Sequence, residues 1–187
     1  MITISLIFVL INPMLNLDEK TEFCLIGQQV PKRNSQINIG MNKMNPKEMT
    51  GLQLLKAMCA GKIPPASISE TIPMQPFEVS KGKISFKAKA DHRHLNPLGG
   101  VHGGFAATVL DSVTGCAVHT MLEAGVGYGT IDLNIKMCRP IPRDKELLAI
   151  GSVINISKNL GISEGKIVDE DGKLYAHATA TCMIIRP

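Results

Sequence analysis

Aromatic residues are scarce in this chain, which has no tryptophan, two tyrosines and five phenylalanines among its 187 residues. Nucleic-acid-binding surfaces combine basic stripes with aromatic stacking platforms, and the sequence contains no dense basic run. Lysine and arginine (20 residues) exceed aspartate and glutamate (16 residues) by only four charges. We therefore expect no nucleic-acid partner, although the small positive balance would suit an anionic small molecule.

Paired cysteines are also missing, since the five cysteines are widely spaced, odd in number and form no C-x-x-C motif. This pattern does not indicate a disulfide framework, and we interpret the cysteines as reduced, mostly buried thiols of a cytosolic protein. His92, His94 and His102 lie close together, but no acidic or cysteine ligand stands at a spacing that suits zinc. The sequence therefore predicts neither a metal site nor a cofactor.

The start of the chain does not resemble a membrane span or a secretory signal. Residues 1–11 are apolar but fall short of the roughly 20 residues that a span requires, and they lack a basic start and a cleavage site. Residues 12–43 are polar and aperiodic. We interpret residues 1–43 as an appendage, either disordered or an over-extended start with Met41 or Met44 as the biological first residue, and residues 44–187 as one domain.

Hydrophobic periodicity predicts two helices, over residues 46–60 and 103–122. The second is apolar on most of its surface, which is typical of a helix buried inside something larger than itself. Together with an antiparallel sheet of adjacent hairpins, it predicts an α+β arrangement. The predicted strands, identified by alternation and flanking turn residues, are 77–80, 84–90, 131–137, 147–157, 161–168 and 174–184.

Asp111 is the single carboxylate between His102 and Leu122, a segment without lysine or arginine. Burial of an unpaired carboxylate is costly or raises its pKa. Asp111 is therefore either a polar residue bonded to a neighbouring hydroxyl or amide, or a general base or nucleophile in a dry pocket.

Gly103 and Gly104 stand at the start of the long helix, where backbone amides have no partner within the helix and face the positive end of its dipole. Such amides can polarise a carbonyl oxygen, although a glycine pair can also be a simple tight turn. Gly104 and Asp111 lie on nearly the same helix face but about 10 Å apart along the axis. Either the ligand is long, or two subunits related by a two-fold axis share the site, and we favour the shared site.

The segment N-P-L-G-G-V-H-G-G-F-A-A-T-V-L-D, from Asn96 to Asp111, resembles the hotdog-fold acyl-CoA thioesterases of the PaaI-like, phenylacetate-pathway type. In that family an asparagine stands six residues before H-G-G and an acidic residue nine residues after the histidine, and Asn96, His102 and Asp111 match both offsets. The resemblance covers about residues 49–185. It implies a long central helix wrapped by a curved antiparallel sheet, and homodimers that pair sheets edge to edge and often form homotetramers.

The same resemblance implies roles for individual residues. The Gly103 amide would polarise the thioester carbonyl, and Asp111 of the opposite subunit would activate water or attack the carbonyl itself. Asn96 and His102 would shape the site and hydrogen-bond around the thioester. Thr130 falls near the place where some relatives have a hydroxyl that helps to hold the water.

Other relatives have this hydroxyl four residues after the acid, where this chain has Gly115, so the hydroxyl role belongs to Thr130 or to no residue. Several basic residues could meet the phosphates of coenzyme A or could simply form a solvated face. The substrate-binding candidates, including the second helix-start glycine, are Gly104, Lys136, Arg139, Arg143 and Lys158.

We therefore predict a cytoplasmic, metal-independent hydrolase that converts acyl-CoA to a free acid and CoA at a homodimer interface. One alternative is a hotdog enoyl-CoA hydratase or dehydratase, whose usual histidine and acid patterns are not evident here. Another is a non-catalytic acyl-CoA sensor, against which the presence of Asp111 argues. The acyl group itself does not follow from the sequence.

Overall fold

In this computed structural model, the structure describes residues 45–187, so the expectations for residues 1–43 lie outside the described residues. The helices are α1 (Gly51–Cys59), α2 (Ile68–Thr71) and α3 (Gly103–His119), with short 3-10 helices at Pro46–Glu48 and His92–His94. The strands are β1 (Met74–Ser80), β2 (Lys83–Lys89), β3 (Gly127–Met137), β4 (Glu146–Ile156), β5 (Leu160–Val168) and β6 (Leu174–Ile185).

The six strands form one antiparallel sheet in the order β1-β2-β4-β5-β6-β3. Three of the pairs, β1 with β2, β4 with β5 and β5 with β6, are hairpins between consecutive strands, as the sequence predicts. Strand β3 returns to the far edge and pairs with β6 alone among the described strands. The predicted α+β class is confirmed. No helix within residues 45–187 combines the length and the apolar character that crossing a membrane requires.

Helix α3 lies against the concave face of the sheet because both surfaces are apolar and closely fitted. Val109, Leu110 and Val113 are completely buried, and every second residue of β6 from Ala176 to Cys182 is buried beneath them. A Cβ atom on Gly151 of β4 would lie 2.2 Å from the backbone oxygen of Val113, so only glycine allows this approach. The prediction of a helix wrapped by the sheet is confirmed.

Two hydrogen bonds, one buried and one partly buried, fix the position of α3 on the sheet. The hydroxyl of Ser163 on β5 donates to the backbone oxygen of Thr114 at 3.0 Å. At the end of the helix, the hydroxyl of Thr120 accepts the backbone N–H of Gly82, in the β1–β2 turn, at 2.7 Å. Because a helix held at two points cannot rotate freely, the face that carries Asp111 is set by these contacts.

The start of β3 differs from the predicted strand. The strand begins at Gly127, and a bulge between Thr130 and Asp132 shifts its alternation. Ile131 is therefore 58% exposed. The alternation predicted that Ile131 shares a face with Leu133, and this prediction is wrong because of the bulge. The bulge leaves Thr130 and the preceding Tyr128 paired with buried residues of β6, so both face the helix.

Candidate active site

The loop before α3 is shaped by Asn96. Its side-chain oxygen accepts the backbone N–H groups of Leu98 (2.9 Å) and Gly100 (3.2 Å), and its backbone N–H donates to the Gly100 carbonyl (2.8 Å). Such bonds close a tight polar turn. The side-chain oxygen of Asn96 thus serves the loop, and the amide NH₂ group is the part that could meet a ligand.

His102 is the N-cap of α3. Its Nδ1 atom accepts the backbone N–H of Gly104 at 2.9 Å, and a Cβ atom on Gly104 would lie 2.9 Å from the same nitrogen, so the cap requires glycine there. The N–H of Gly104 is therefore occupied, which counts against the predicted contact of this amide with a ligand. The N–H of Gly103 has no partner within residues 45–187 and is the amide that remains for a carbonyl oxygen.

His94 is a structural residue. It is buried, its Nδ1 accepts the backbone N–H of Asp91 at 2.9 Å, and its Nε2 donates to the backbone oxygen of Thr71 at 2.8 Å. Its ring also meets the edge of Phe105, with 5.2 Å between centroids. Hydrogen bonds from the Arg93 side chain and backbone hold the pKa of Asp91 well below its usual range. This cluster fixes the loop and α2 against the first turn of α3.

A cavity of about 600 Å³ opens beside this first turn, and we call it the loop cavity. His102 and Gly104 line it on one side, and α2 lies opposite. Arg93 also lines it and is a basic residue that the sequence did not single out, because no motif marks it. The lining residues are Glu70, Thr71, Ile72, Arg93, His94, Leu95, His102, Gly104, Phe105 and Thr108.

Asp111 is exposed in the single chain. Within one chain, the prediction that the helix buries this carboxylate is therefore wrong. The reason is geometric: Gly104, Ala107, Thr108 and Asp111 follow one stripe of α3 that is not fully covered by this chain's own sheet. The Asp111 carboxylate has no hydrogen-bond or ion-pair partner within residues 45–187. The alternative of a satisfied structural residue is thus not supported by the contacts of the described part.

Asp111 lies at a second cavity of about 200 Å³, the Asp111 cavity. Thr130 lines the same cavity, and its hydroxyl has one described contact, the Cys182 sulfur at 3.9 Å. The structure therefore brings Thr130 to the carboxylate but leaves His102 and Gly104 at the other cavity. The lining residues are Met58, Pro65, Ala66, Ile68, Ser69, Met74, Pro76, Phe86, Asp111, Ser112, Cys116, Tyr128 and Thr130.

Cys116 and Tyr128 of the Asp111 cavity are both uncharged at neutral pH. Burial raises the pKa of the Cys116 thiol to about 11, and burial also raises the pKa of the Tyr128 hydroxyl, whose described partner is the Cys116 sulfur at 3.9 Å. A thiol with so high a pKa is a poor nucleophile at neutral pH. No sequence feature marks a cysteine as catalytic, and none identifies these two residues as cavity walls.

The match to known proteins decides the family. The sequence profile of the Thioesterase superfamily matches residues 98–176. The crystal structure of a phenylacetic acid degradation-related protein from Ralstonia eutropha, classed with the thioesterases, is 31% identical with a TM-score of 0.63, covering 69% of this chain and 98% of that one. The chain belongs to the thioesterase superfamily. The predicted hotdog fold and the predicted class of thioester hydrolase are confirmed.

Three further proteins are similar to the chain over different shares of its length. Human acyl-coenzyme A thioesterase 13 is 27% identical over 101 residues, which are 54% of this chain and 71% of that protein. A protein of Halobacterium salinarum classed with the esterases is 40% identical over 72 residues, and the match spans 37% of this chain and 46% of that relative, about half its length. A Haemophilus influenzae thioesterase structure, 24% identical with a TM-score of 0.62, covers 75% of this chain and 94% of that one and supports the fold.

The predicted coenzyme A contacts lie outside both cavities of this thioesterase-superfamily chain. Lys136, Arg139 and Lys158 are exposed, and none of them lines the loop cavity or the Asp111 cavity. Arg139 donates to the backbone oxygen of Leu174 at 2.6 Å. In the single chain these residues form a solvated surface, and a role in binding requires a substrate that extends beyond the cavities.

The carboxylate that the fold does bury is Asp169, in the β5–β6 turn. It accepts hydrogen bonds from the Tyr175 hydroxyl and the Lys173 backbone N–H, both at 3.0 Å, and from the Lys145 ammonium at 3.4 Å. Burial alone would raise the pKa of Asp169, but these hydrogen bonds and the Lys145 charge together lower it. Asp169 is therefore a structural residue, which the sequence did not distinguish from its turn neighbours.

Proposed function

We propose that the protein is an acyl-CoA thioesterase that acts as a homodimer and hydrolyses its substrate to a carboxylic acid and CoA. The observation that carries the proposal is the pair of unpartnered groups on one helix, the N–H of Gly103 and the carboxylate of Asp111. Membership of the thioesterase superfamily supports hydrolysis of a thioester, and the human relative carries acyl-CoA thioesterase in its name.

Gly103 polarises the thioester carbonyl. Its N–H is the first of α3, at the positive end of the helix dipole, and donors of this kind stabilise the negative charge that develops on a carbonyl oxygen during acyl transfer. The His102 ring, by capping Gly104, keeps the first turn of the helix in shape. We assign a further hydrogen bond to the substrate to the NH₂ group of Asn96, because its side-chain oxygen is already bonded within the adjoining loop.

Asp111 acts in this mechanism either as a general base or as the nucleophile. As a general base it takes a proton from a water molecule, whose oxygen then adds to the carbonyl carbon while the carbon–sulfur bond breaks and the CoA thiolate leaves. As a nucleophile it attacks the carbonyl carbon and displaces the CoA thiolate, and water later hydrolyses the resulting acyl-enzyme anhydride. The Thr130 hydroxyl, on the same cavity, orients the water in either route.

Two subunits are required because one helix separates the two groups. Gly103 and Asp111 are eight residues apart, about 12 Å along the helix axis, and the carboxylate lines a different cavity from the first turn of the helix. One carbonyl carbon therefore cannot meet both groups of the same chain.

Pairing of the edge strand β3 between two subunits would bring Gly103 of one subunit close to Asp111 of the other. A Cβ atom on Gly103 would lie 3.4 Å from Met137, near the end of β3, whereas Thr130 of the Asp111 cavity lies near its start. If two copies of β3 pair antiparallel about a two-fold axis, the Thr130 end of one strand lies opposite the Met137 end of the other. The Asp111 cavity of one subunit then faces the Gly103 amide of its partner.

The same arrangement supports the predicted contacts with CoA. Lys136 and Arg139 lie directly before and two residues after Met137, at the end of β3 that is near Gly103, where the CoA part of the thioester would leave the cavity; the Lys136 side chain points to the opposite face of the sheet from Met137. Lys158 is on the β4–β5 turn, and its positive charge is the one feature that supports a contact with the CoA phosphates. Phosphates attract such basic residues even at exposed positions.

We also propose that residues 44–187 form the catalytic domain and that the protein works in the cytoplasm. Four cysteines, Cys59, Cys116, Cys138 and Cys182, are free thiols in the described part of the chain, which suits a reducing compartment. Further association of dimers into tetramers, which the resemblance implies, can be measured together with the dimer by light scattering.

The proposal is tested with purified full-length protein and a set of acyl-CoA substrates. We expect one thiol to be released for each carboxylic acid formed, without added metal. Loss of the enoyl absorbance of crotonyl-CoA without thiol release would instead identify a hydratase. Tight binding of acyl-CoA with neither reaction would identify a sensor, and either result would contradict the proposal.

A further inference from the structure

We infer that Tyr128 closes the inner end of the Asp111 cavity and thereby restricts the enzyme to short acyl groups. This inference rests on the proposed function, because it treats the Asp111 cavity as the place of the acyl chain. It names the substrate class, which neither the sequence nor the family decides, and the residue that sets it.

Tyr128 spans the space between the sheet and the helix. It lies near the start of β3, opposite Ile184, which faces the core. Its ring rests on Gly115 of α3, where a Cβ atom would lie 2.6 Å from Cε2 and 3.0 Å from the hydroxyl oxygen. The ring of His119, one turn further along α3, stands 5.3 Å away between centroids. The groove between α3 and β3 is therefore filled by the Tyr128 ring.

The cavity that remains is small. Its volume of about 200 Å³ lies below the roughly 300–1,000 Å³ of ordinary ligand pockets. From Asp111 to Gly115 the helix advances about 6 Å. A short acyl group thus fills the space between the carboxylate and the Tyr128 ring.

The walls of the cavity suit an alkyl chain. Ile68, Met74 and Phe86 supply apolar surface from three different elements, and the charged group, Asp111, lies where the thioester would enter. A longer chain would have to displace the Tyr128 ring from its seat on Gly115. The preferred substrates are therefore thioesters of short-chain carboxylic acids.

The bulk of the Tyr128 ring, and not its hydroxyl, closes the cavity. The one described partner of the hydroxyl is the Cys116 sulfur at 3.9 Å, a weak contact. Tyr128→Phe keeps the ring on Gly115 and is the matched control, whereas Tyr128→Ala removes the ring and opens the groove toward His119.

The experiment measures kcat/KM for straight-chain substrates from acetyl-CoA to palmitoyl-CoA. For the wild type we expect an optimum between butyryl-CoA and hexanoyl-CoA and a fall of about tenfold or more by lauroyl-CoA, since a longer chain must displace the Tyr128 ring from its packed position against Gly115. Tyr128→Ala should move the optimum to longer chains and raise kcat/KM for lauroyl-CoA about tenfold. Tyr128→Phe should keep the wild-type cut-off.

Binding of non-hydrolysable acyl-CoA thioethers, measured by calorimetry, separates this inference from the proposed function. A short-chain cut-off in binding that Tyr128→Ala relaxes, without any thiol release, would support the inference and contradict the hydrolytic function. Equal kcat/KM of the wild type for hexanoyl-CoA and palmitoyl-CoA would overturn the inference and leave the proposed function standing. The same chain-length cut-off in Tyr128→Ala and Tyr128→Phe would do the same. If Tyr128→Ala does not fold, as its thermal melt would show, Tyr128→Leu serves as the smaller side chain in the same comparison.

Discussion

The Nδ1 atom of His102 and the backbone N–H of Gly104 form a hydrogen bond of 2.9 Å that caps the long helix. The bond occupies one helix-start amide and leaves the neighbouring N–H, that of Gly103, without a partner within residues 45–187. In the proposed mechanism, the His102 ring would therefore leave the Gly103 amide, and not the Gly104 amide, for the substrate. The two contributions of the ring, to helix stability and to turnover, can be separated by substitution.

His102→Ala should remove the cap and destabilise the protein by about 0.5–2 kcal/mol. His102→Asn should keep stability close to the wild type, because asparagine is a good N-cap. Urea unfolding gives the stabilities, and thiol release from acyl-CoA gives kcat/KM. If the cap is the main role of the ring, activity follows stability across both variants. Full stability with strongly reduced kcat/KM in His102→Asn would show instead that the imidazole contacts the substrate.

Asp111→Asn should lower kcat by a factor of about 10²–10⁴, the usual contribution of a general base. Its stability should stay within about 0.5 kcal/mol of the wild type, because the exposed carboxylate has no partner in the described residues. Asp171→Asn, an exposed carboxylate in the β5–β6 turn, is the matched control and should retain wild-type kcat. Turnover at the wild-type rate in Asp111→Asn would end the catalytic assignment.

Mixed dimers test whether the site is shared. Gly103→Leu and Asp111→Asn should each be inactive alone. In a mixed dimer one of the two sites combines the intact Gly103 of one subunit with the intact Asp111 of the other. Since half of randomly mixed dimers are heterodimers, about a quarter of wild-type activity should return. The leucine side chain would first meet the flexible end of Met137, at 3.4 Å from its Cβ, so the fold should tolerate it.

The mixture is prepared by refolding the two variants together, with each variant refolded alone as the control. Co-purification through two different tags verifies that heterodimers form. Heterodimers that form in full yield and show no activity would contradict the shared site and place both halves of the reaction within one chain.

The local part of this structure was predictable because the 3.6-residue and two-residue periods are properties of short segments. The long helix, the β1–β2 hairpin turn at Gly82 and the alternation of β6 all follow from such periods. So does the separation of Gly104 and Asp111 along one helix, which leaves either a long ligand or a site divided between two subunits.

The non-local part was not predictable in the same way. The bulge at Thr130 depends on how β3 pairs with β6, and the exposure of Asp111 depends on which stripe of α3 the sheet leaves uncovered. The contact of the Tyr128 ring with Gly115 joins residues of β3 and α3. In the sequence, a glycine within a helix indicates only that some group approaches it closely. Such contacts arise from packing, for which a single sequence carries no periodic signal.

The buried carboxylate of Asp169 predicts how stability depends on pH. Its pKa is lowered in the folded protein, so the folded state binds its proton less readily than the unfolded chain, in which aspartate titrates near about 3.9. The contribution of Asp169 is therefore fully present above that value and is lost as the pH falls toward the lower pKa of the folded state. We expect the wild-type free energy of unfolding to decrease in this acidic range.

Asp169→Asn should be less stable than the wild type at neutral pH, because Lys145 would face a neutral amide and the two remaining donors would lose a charged acceptor. It should also lose less stability between about pH 5 and about pH 3, since the group responsible for part of that loss is gone. Part of the slope should remain, because the ion pair of Asp91 with Arg93 also lowers an aspartate pKa. Urea unfolding at a series of pH values measures both effects, with Asp171→Asn, which changes an exposed carboxylate of the same turn, as the control. Identical slopes for Asp169→Asn and the wild type would mean that Asp169 titrates in the folded protein as it does in the unfolded chain.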